Sequence, residues 1–160
     1  MPTVVLDTSV LIHLDDVRQL GLLRALRGVN FVFPGEVWQE LVRDDRRARV
    51  LMEVRQGGVR RERLGLGGEL LRRLAFEERG LDLGESACCA LAQERDWYLA
   101  TDDHKALREW RAEVGPSRSI ATPGLIQIAI RQGILSVEQA DAFLPVWAAN
   151  RFRLNLESFA

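Results

Sequence analysis

Asp7 directly follows the apolar run "TVVL", and Asp102 and Asp103 follow "WYLAT" in the same way. Both runs are short and apolar and read as buried strands. If the two strands are parallel neighbours, all three acids meet at one edge of the sheet. Glu85 falls in the first turn of "GESACCALA", where the helix dipole favours a carboxylate, and Gly84 before it lets backbone come close. Glu40 lies four residues after Glu36 on the segment following "NFVFP", so the two point the same way. Each acid alone has a plain explanation. Asp7 could cap a helix starting near Ser9, and Glu85 could be a dipole-favoured first-turn acid. Glu40 could sit on a solvated face beside Arg43, and a helix cap accounts for only one of Asp102 and Asp103. Together they are harder to explain so, because converging carboxylates repel one another unless a cation holds them. The donors are all hard oxygens, with no Cys or His among them. That selects Mg²⁺ or Mn²⁺ over Zn²⁺.

The rest of the composition narrows the setting. The chain has 160 residues, 47% hydrophobic and 28% charged, with a net charge of −1. That fits one soluble globular domain and argues against a protein held on nucleic acid by gross charge. Lys105 is the only lysine. Between Arg43 and Arg63 lie eight arginines against four acids, Asp44, Asp45, Glu53 and Glu62. This stretch reads either as a solvated face with local ion pairs or as a phosphate-binding flank, with Arg43, Arg46 and Arg47 as the candidate nucleic-acid contacts. Cys88 and Cys89 sit among alanines and read as small core residues, as suits a reducing, cytoplasmic setting. His13 is expected to be structural and His104 to lie on the surface. Trp38 is the tryptophan placed for stacking on a base. The first residues, "MPTVVLDTSV", do not read as a signal peptide, and no apolar run is long enough for a membrane span.

The elements that must position the acids follow from periodicity. "TVVL", "NFVFP", "WYLAT" and "SRSIAT" are expected strands; "VRRERLGLGG" is a strand or a loop. Helices are expected over "LIHLDDVRQLGLLRALRG", ending at Gly28, and from "PGEVWQELVRD" to Gln56, stopped by Gly57 and Gly58. Others cover "ELLRRLAFEERG", "LDLGESACCALAQERD", "DHKALREWRAEVG", "PGLIQIAIRQG" and "SVEQADAFLPVWAANRF", the last capped by Ser136. The tail "RFRLNLESF" alternates like an edge strand. Short buried strands alternating with helices imply a parallel sheet covered on both faces. Ligands of such sheets bind outside the carboxyl ends of the strands.

At this point the sequence resembles the PIN-domain nucleases, through "VVLDTSVLIHL", "FPGEVWQELV", "LGESACCALAQE" and "LATDDHKALR", in that order. The last third, "TPGLIQIAIRQGILS", resembles a prokaryotic branch of these proteins. The resemblance implies an α/β fold, a PIN-like (Rossmann-like) three-layer α/β/α sandwich with a central, mostly parallel sheet. It implies one domain over 1–160, with an insertion at 57–80 and C-terminal helices plus an edge strand over 122–160. It further implies a metal-dependent ribonuclease, with Asp7, Glu85 and Asp103 on Mg²⁺ or Mn²⁺ and Glu40 holding a metal or positioning water. Asp102 fills the variable place of the family's T-x-D but remains in reach of the metal. Ser9 and Thr101 are the hydroxyls that orient these carboxylates. Small PIN proteins of this kind resemble the VapC-type toxins of toxin–antitoxin pairs, which implies an RNA substrate, a cognate antitoxin and a homodimer.

Other classes are distinguishable. A haloacid-dehalogenase-like phosphatase requires a second Asp two residues after the first, and Ser9 stands there. A catalytically silent PIN module would bind RNA without cleaving it. A purely structural domain with an acidic edge would show no stabilisation by Mg²⁺.

Overall fold

The computed structural model describes residues 1–160. Its centre is a five-stranded, wholly parallel sheet. The strands are β1 (Thr3–Leu6), β2 (Asn30–Pro34), β3 (Arg60–Glu62), β4 (Tyr98–Ala100) and β5 (Ser119–Ile120), in the order β3-β2-β1-β4-β5. β1 is central, and Leu6 lies in register with Ala100 of β4. Asp7 donates its backbone N–H to the Ala100 carbonyl, so the pairing continues one residue past the strand and fixes Asp7 beside Thr101. Chain order reverses at β1, and the crevice between β1 and β4 is where such sheets bind ligands.

Helices α1 (Thr8–Asp16) and α2 (Leu22–Ala25) link β1 to β2; α3 (Gly35–Glu40) and α4 (Asp44–Arg55) link β2 to β3. α5 (Gly68–Glu78) and α6 (Leu83–Glu94) precede β4, and α7 (His104–Val114) precedes β5. α8 (Thr122–Arg131), α9 (Val137–Asp141) and α10 (Phe143–Ala149) complete the chain. α6 packs on β1, β2 and β4, flanked by α3, α5 and α7, while α1 gathers α4, α8 and α10. The interior of α6 is small and wholly buried from Ser86 to Ala92, which lets the helix come close enough for the Cys88 thiol to meet the Leu6 carbonyl. Both cysteines are free, and burial pushes their thiols up, so they are inert packing residues. No helix is long and apolar enough to cross a membrane.

The α/β class and strand pattern match expectation, and "VRRERLGLGG" resolves as an edge strand followed by a loop. Four expected elements differ, the helix over "SVEQADAFLPVWAANRF" among them, which divides at Ala142 into α9 and α10. The helix expected to run to Gly28 stops at Asp16, because Arg18 turns left-handed (φ 57) and its N–H and that of Gln19 close back on Asp15 and Leu14. The helix expected to run to Gln56 breaks after Glu40, where Arg47 donates to the Trp38 and Leu41 carbonyls that the break frees. The tail forms no strand. Phe159 is buried against Trp147, while Asp141 accepts from the Phe159 N–H and the Ser158 hydroxyl, so the tail is held on α9 and α10 instead of a sheet edge. Ser136 caps α9 as expected, in a full capping box with Gln139.

Candidate active site

Three of the helices that begin at the carboxyl edge of the sheet begin on an aspartate. Asp7 caps α1, accepting from Thr8 N–H at 2.8 Å. Asp82 caps α6, accepting from Glu85 N–H at 2.8 Å. Asp103 caps α7, accepting from Ala106 N–H at 2.8 Å. The helix-cap reading and the site reading of Asp7 and Asp103 therefore both hold. Capping uses one face of a carboxylate, and a carboxylate has about four lone-pair sites, so each acid keeps oxygen capacity to spare.

Asp7 is almost fully buried and is held on all sides. Its Oδ2 accepts from Thr101 Oγ1 at 2.8 Å and from Ser9 Oγ at 3.1 Å. These are the two hydroxyls expected to orient it. Burial nevertheless raises the Asp7 carboxyl to about 6; the Thr101, Thr8 and Ser9 bonds oppose this rise and the Asp82 charge adds to it. Glu40 reaches the same edge from α3. Its Oε2 accepts from Thr8 Oγ1 at 2.7 Å, and its Oε1 accepts from the Gly84 N–H at 2.7 Å. A Cβ on Gly84 would lie 2.2 Å from that oxygen, so only glycine admits this contact. Burial, then Asp82, raises the Glu40 carboxyl, against the Thr8 and Gly84 bonds.

Glu85 is the most perturbed member. Burial raises its carboxyl to about 8, helped by the Asp82 carboxylate within hydrogen-bond range and by the charges of Asp82, Asp103 and Asp7. The structure thus brings together Asp7, Glu40, Glu85 and Asp103. It adds Asp82, which the sequence reading passed over. The signal was present: an acid three residues before Glu85 is the spacing of a helix N-terminus box. Thr8, the support of Glu40, was likewise missed.

Four expected members do not join these acids. Asp102 is turned away from the cluster. Its Oδ1 accepts from Thr122 N–H at 2.7 Å, and its Oδ2 meets Thr122 Oγ1 and, at 2.6 Å, His13 Nδ1. Its side chain is 2% exposed, and in this structure it ties α1 to α8 instead of facing the cluster. Arg46, expected on a nucleic-acid flank, is buried between Asp15 and Asp16 at 2.9 and 2.6 Å and has no free fork for a phosphate. Arg47 is spent on the end of α3, and Arg43 is exposed but paired with Asp45. Trp38 already carries the guanidiniums of Arg47 and Arg61 over its ring. His13 is structural, stacked on Phe152, and His104 is exposed.

The donor set fits a hard divalent cation in kind: oxygen only, anionic and crowded enough that two carboxyls are driven toward protonation. No three of these side chains close to ready-made metal-ligand spacing. The cluster is therefore an open arrangement of carboxylates whose mutual repulsion a cation would relieve.

A family model described as a PIN domain matches residues 3–159. No curated protein matches the chain. Among solved structures, the crystal structure of PAE2754 from Pyrobaculum aerophilum aligns at 18% identity and a TM-score of 0.49, covering 80% of this chain and 90% of that one. PIN domains are generally nucleases, and the family match extends over nearly the whole chain, all five acids of the cluster included; the protein belongs to the PIN-domain family.

Proposed function

We propose that the protein is a divalent-cation-dependent endoribonuclease whose active site is the carboxylate cluster at the ends of β1 and β4. The observation that supports this reading is the joint elevation of Asp7 and Glu85 by burial and like charge at the ligand-binding edge of a parallel sheet. Asp7, Glu85 and Asp103 would hold Mg²⁺ or Mn²⁺. Such an ion supplies positive charge opposite the reacting phosphate and makes water more acidic. The protein's own groups do the positioning. Thr101 and Ser9 fix the Asp7 carboxylate. Thr8 and the Gly84 N–H fix Glu40, which holds the cation or orients the attacking water. Asp82 at the start of α6 raises the carboxyls of both Glu40 and Glu85. No Ser-His or Cys-His pair is required, because water is the nucleophile.

The same reading includes a biological role: the toxin of a type II toxin–antitoxin pair, acting in the cytoplasm as a homodimer and silenced by a cognate antitoxin. Its support is the order of the motifs around Asp7, Glu40, Glu85 and Asp103. The test is cleavage of a mixed set of labelled RNAs with Mn²⁺, Mg²⁺ or EDTA, alongside Asp7→Asn. Metal-dependent cleavage lost in the variant establishes the nuclease. RNA binding without cleavage under any metal assigns a silent binding module instead. Induced expression tests the toxin role: growth arrest by the wild type and not by Asp7→Asn is the expected result, and normal growth with both sinks it.

A further inference from the structure

A second cavity lies beside the carboxylate cluster. It measures about 620 Å³ and is bounded by the start of α3, by β3 and by the loop into α5. Gly35, Glu36 and Gln39 form one wall, and Arg61, Arg63 and Leu66 another. Gln39 is the chain neighbour of Glu40, so one short helix borders both sites. The register of β2 with β3, Pro34 opposite Glu62, puts the cavity at the same carboxyl edge as the acids. Adjacent strands are about 5 Å apart, so β3 stands roughly 10 Å from β1.

Its charges are unevenly satisfied. Arg60 and Arg95 hold the Glu62 carboxylate at 2.6 and 2.8 Å, and Arg73 lies 3.7 Å from Glu36 and 3.6 Å from Glu77. The acids of the cavity are therefore already paired. Arg61 and Arg63 are exposed and have no carboxylate within ion-pair distance. Arg61 is not loose: its guanidinium lies against Gly35 and over the Trp38 ring. Leu66 stands 93% exposed at the rim. Two guanidinium forks without a carboxylate partner, in one cavity with the exposed Leu66, suit a strand that alternates anionic phosphates with flat bases.

Resting on the ribonuclease reading, we propose that this cavity is a substrate subsite in which Arg61 and Arg63 grip phosphates of a single-stranded RNA flanking the bond held at Asp7, Glu85 and Asp103. The phosphate-binding flank expected from the arginine-rich stretch is thus formed by its last two arginines, not its first three.

The test is fluorescence anisotropy of a labelled single-stranded oligoribonucleotide on the full chain in EDTA, where no cleavage is needed, over a series of salt concentrations. The logarithm of affinity falls with the logarithm of salt by about 0.7 per phosphate contact on single strands. Arg61→Ala/Arg63→Ala is expected to weaken binding about tenfold or more and to flatten the slope by about 1.4, for two lost contacts. Arg63→Glu alone is expected to weaken it further than Arg63→Ala, and Arg131→Ala, at the far end of α8, to leave both quantities unchanged. Unchanged affinity and slope in the double variant, or an equal loss in Arg131→Ala, overturns the subsite. Wild type that binds with the expected slope change but never cleaves with Mn²⁺ keeps the subsite and removes only the nuclease.

Discussion

At the residue scale the informative group is Glu85. Its carboxyl stands at about 8 when folded, through burial and the charges of Asp82, Asp103 and Asp7, against an ordinary value of 4.5. A raised folded pKa means that the folded chain holds a proton the unfolded chain releases. Stability is therefore highest below about 4.5 with respect to this group and declines as pH rises through the window to about 8. Asp7 adds the same sign between 3.8 and about 6. Thermal melts in EDTA are expected to show the wild type losing stability from pH 5.5 to 8, and Glu85→Gln losing less. Equal slopes for both proteins contradict the assignment. Gly84 makes a second residue-scale case. Its N–H serves Glu40, and an added methyl would lie 2.2 Å from Glu40 Oε1. Gly84→Ala should destabilise by about 1–3 kcal/mol, the usual range for overpacking, and should displace Glu40. Denaturant unfolding gives the first quantity, and loss of metal-dependent cleavage the second.

At the element scale, Asp102 decides how the last third of the chain meets the site. It joins α1, through His13, to the first turn of α8, through Thr122. Its neighbour Asp103 faces the cluster. Asp102→Ala leaves two donors of Thr122 and a ring nitrogen of His13 without their partner, and about 1–3 kcal/mol of stability should go with each buried group so stranded. Asp103→Asn should cost little stability but abolish cleavage. If Asp102→Ala instead kept full stability and lost only cation binding, Asp102 would be a ligand after all. The sequence shows two adjacent acids at a strand end but not which way each points, because that depends on a threonine twenty residues on. The same limit explains the helix breaks. Those closed by Gly57 and Gly80 are legible, since glycine takes positive φ without strain. The break at Arg18 is not, since an arginine carries no such signal and is held there by the chain closing on Asp15 and Leu14. The convergence of Asp7, Glu85 and Asp103 was legible because acids at strand ends need only a parallel sheet to meet. Asp82 was not picked out, because it follows a helix and not a strand, and only the packing of α6 brings it to the edge.

At the scale of the whole molecule, the cluster makes folding and cation binding one equilibrium. Asp7, Glu40, Asp82, Glu85 and Asp103 come from four separate stretches of chain, so the unfolded protein has no site and only the folded state gains from the ion. A ligand that binds only the folded state stabilises it by RT ln(1 + [L]/Kd), about 2.7 kcal/mol at a hundredfold excess over Kd. For a domain of this size that corresponds to a rise in Tm of roughly 5–10 °C. The increment must also depend on pH. Below about 6 the Asp7 and Glu85 carboxyls hold protons that the ion has to displace, whereas at pH 8 most of those protons have gone. Mn²⁺ or Mg²⁺ should therefore raise Tm more at pH 8 than at pH 5.5, cancelling the decline that the metal-free protein shows over the same range. Asp7→Asn should abolish the increment at both pH values. Ca²⁺, larger and content with irregular oxygen shells, should stabilise without supporting cleavage. Differential scanning fluorimetry of the wild type and Asp7→Asn at the two pH values measures these increments at once, and the labelled-RNA assay reads cleavage in Ca²⁺. An increment that is absent, or as large in Asp7→Asn as in the wild type, would mean that the acidic edge is structural and that the repulsion within it is relieved by protons alone.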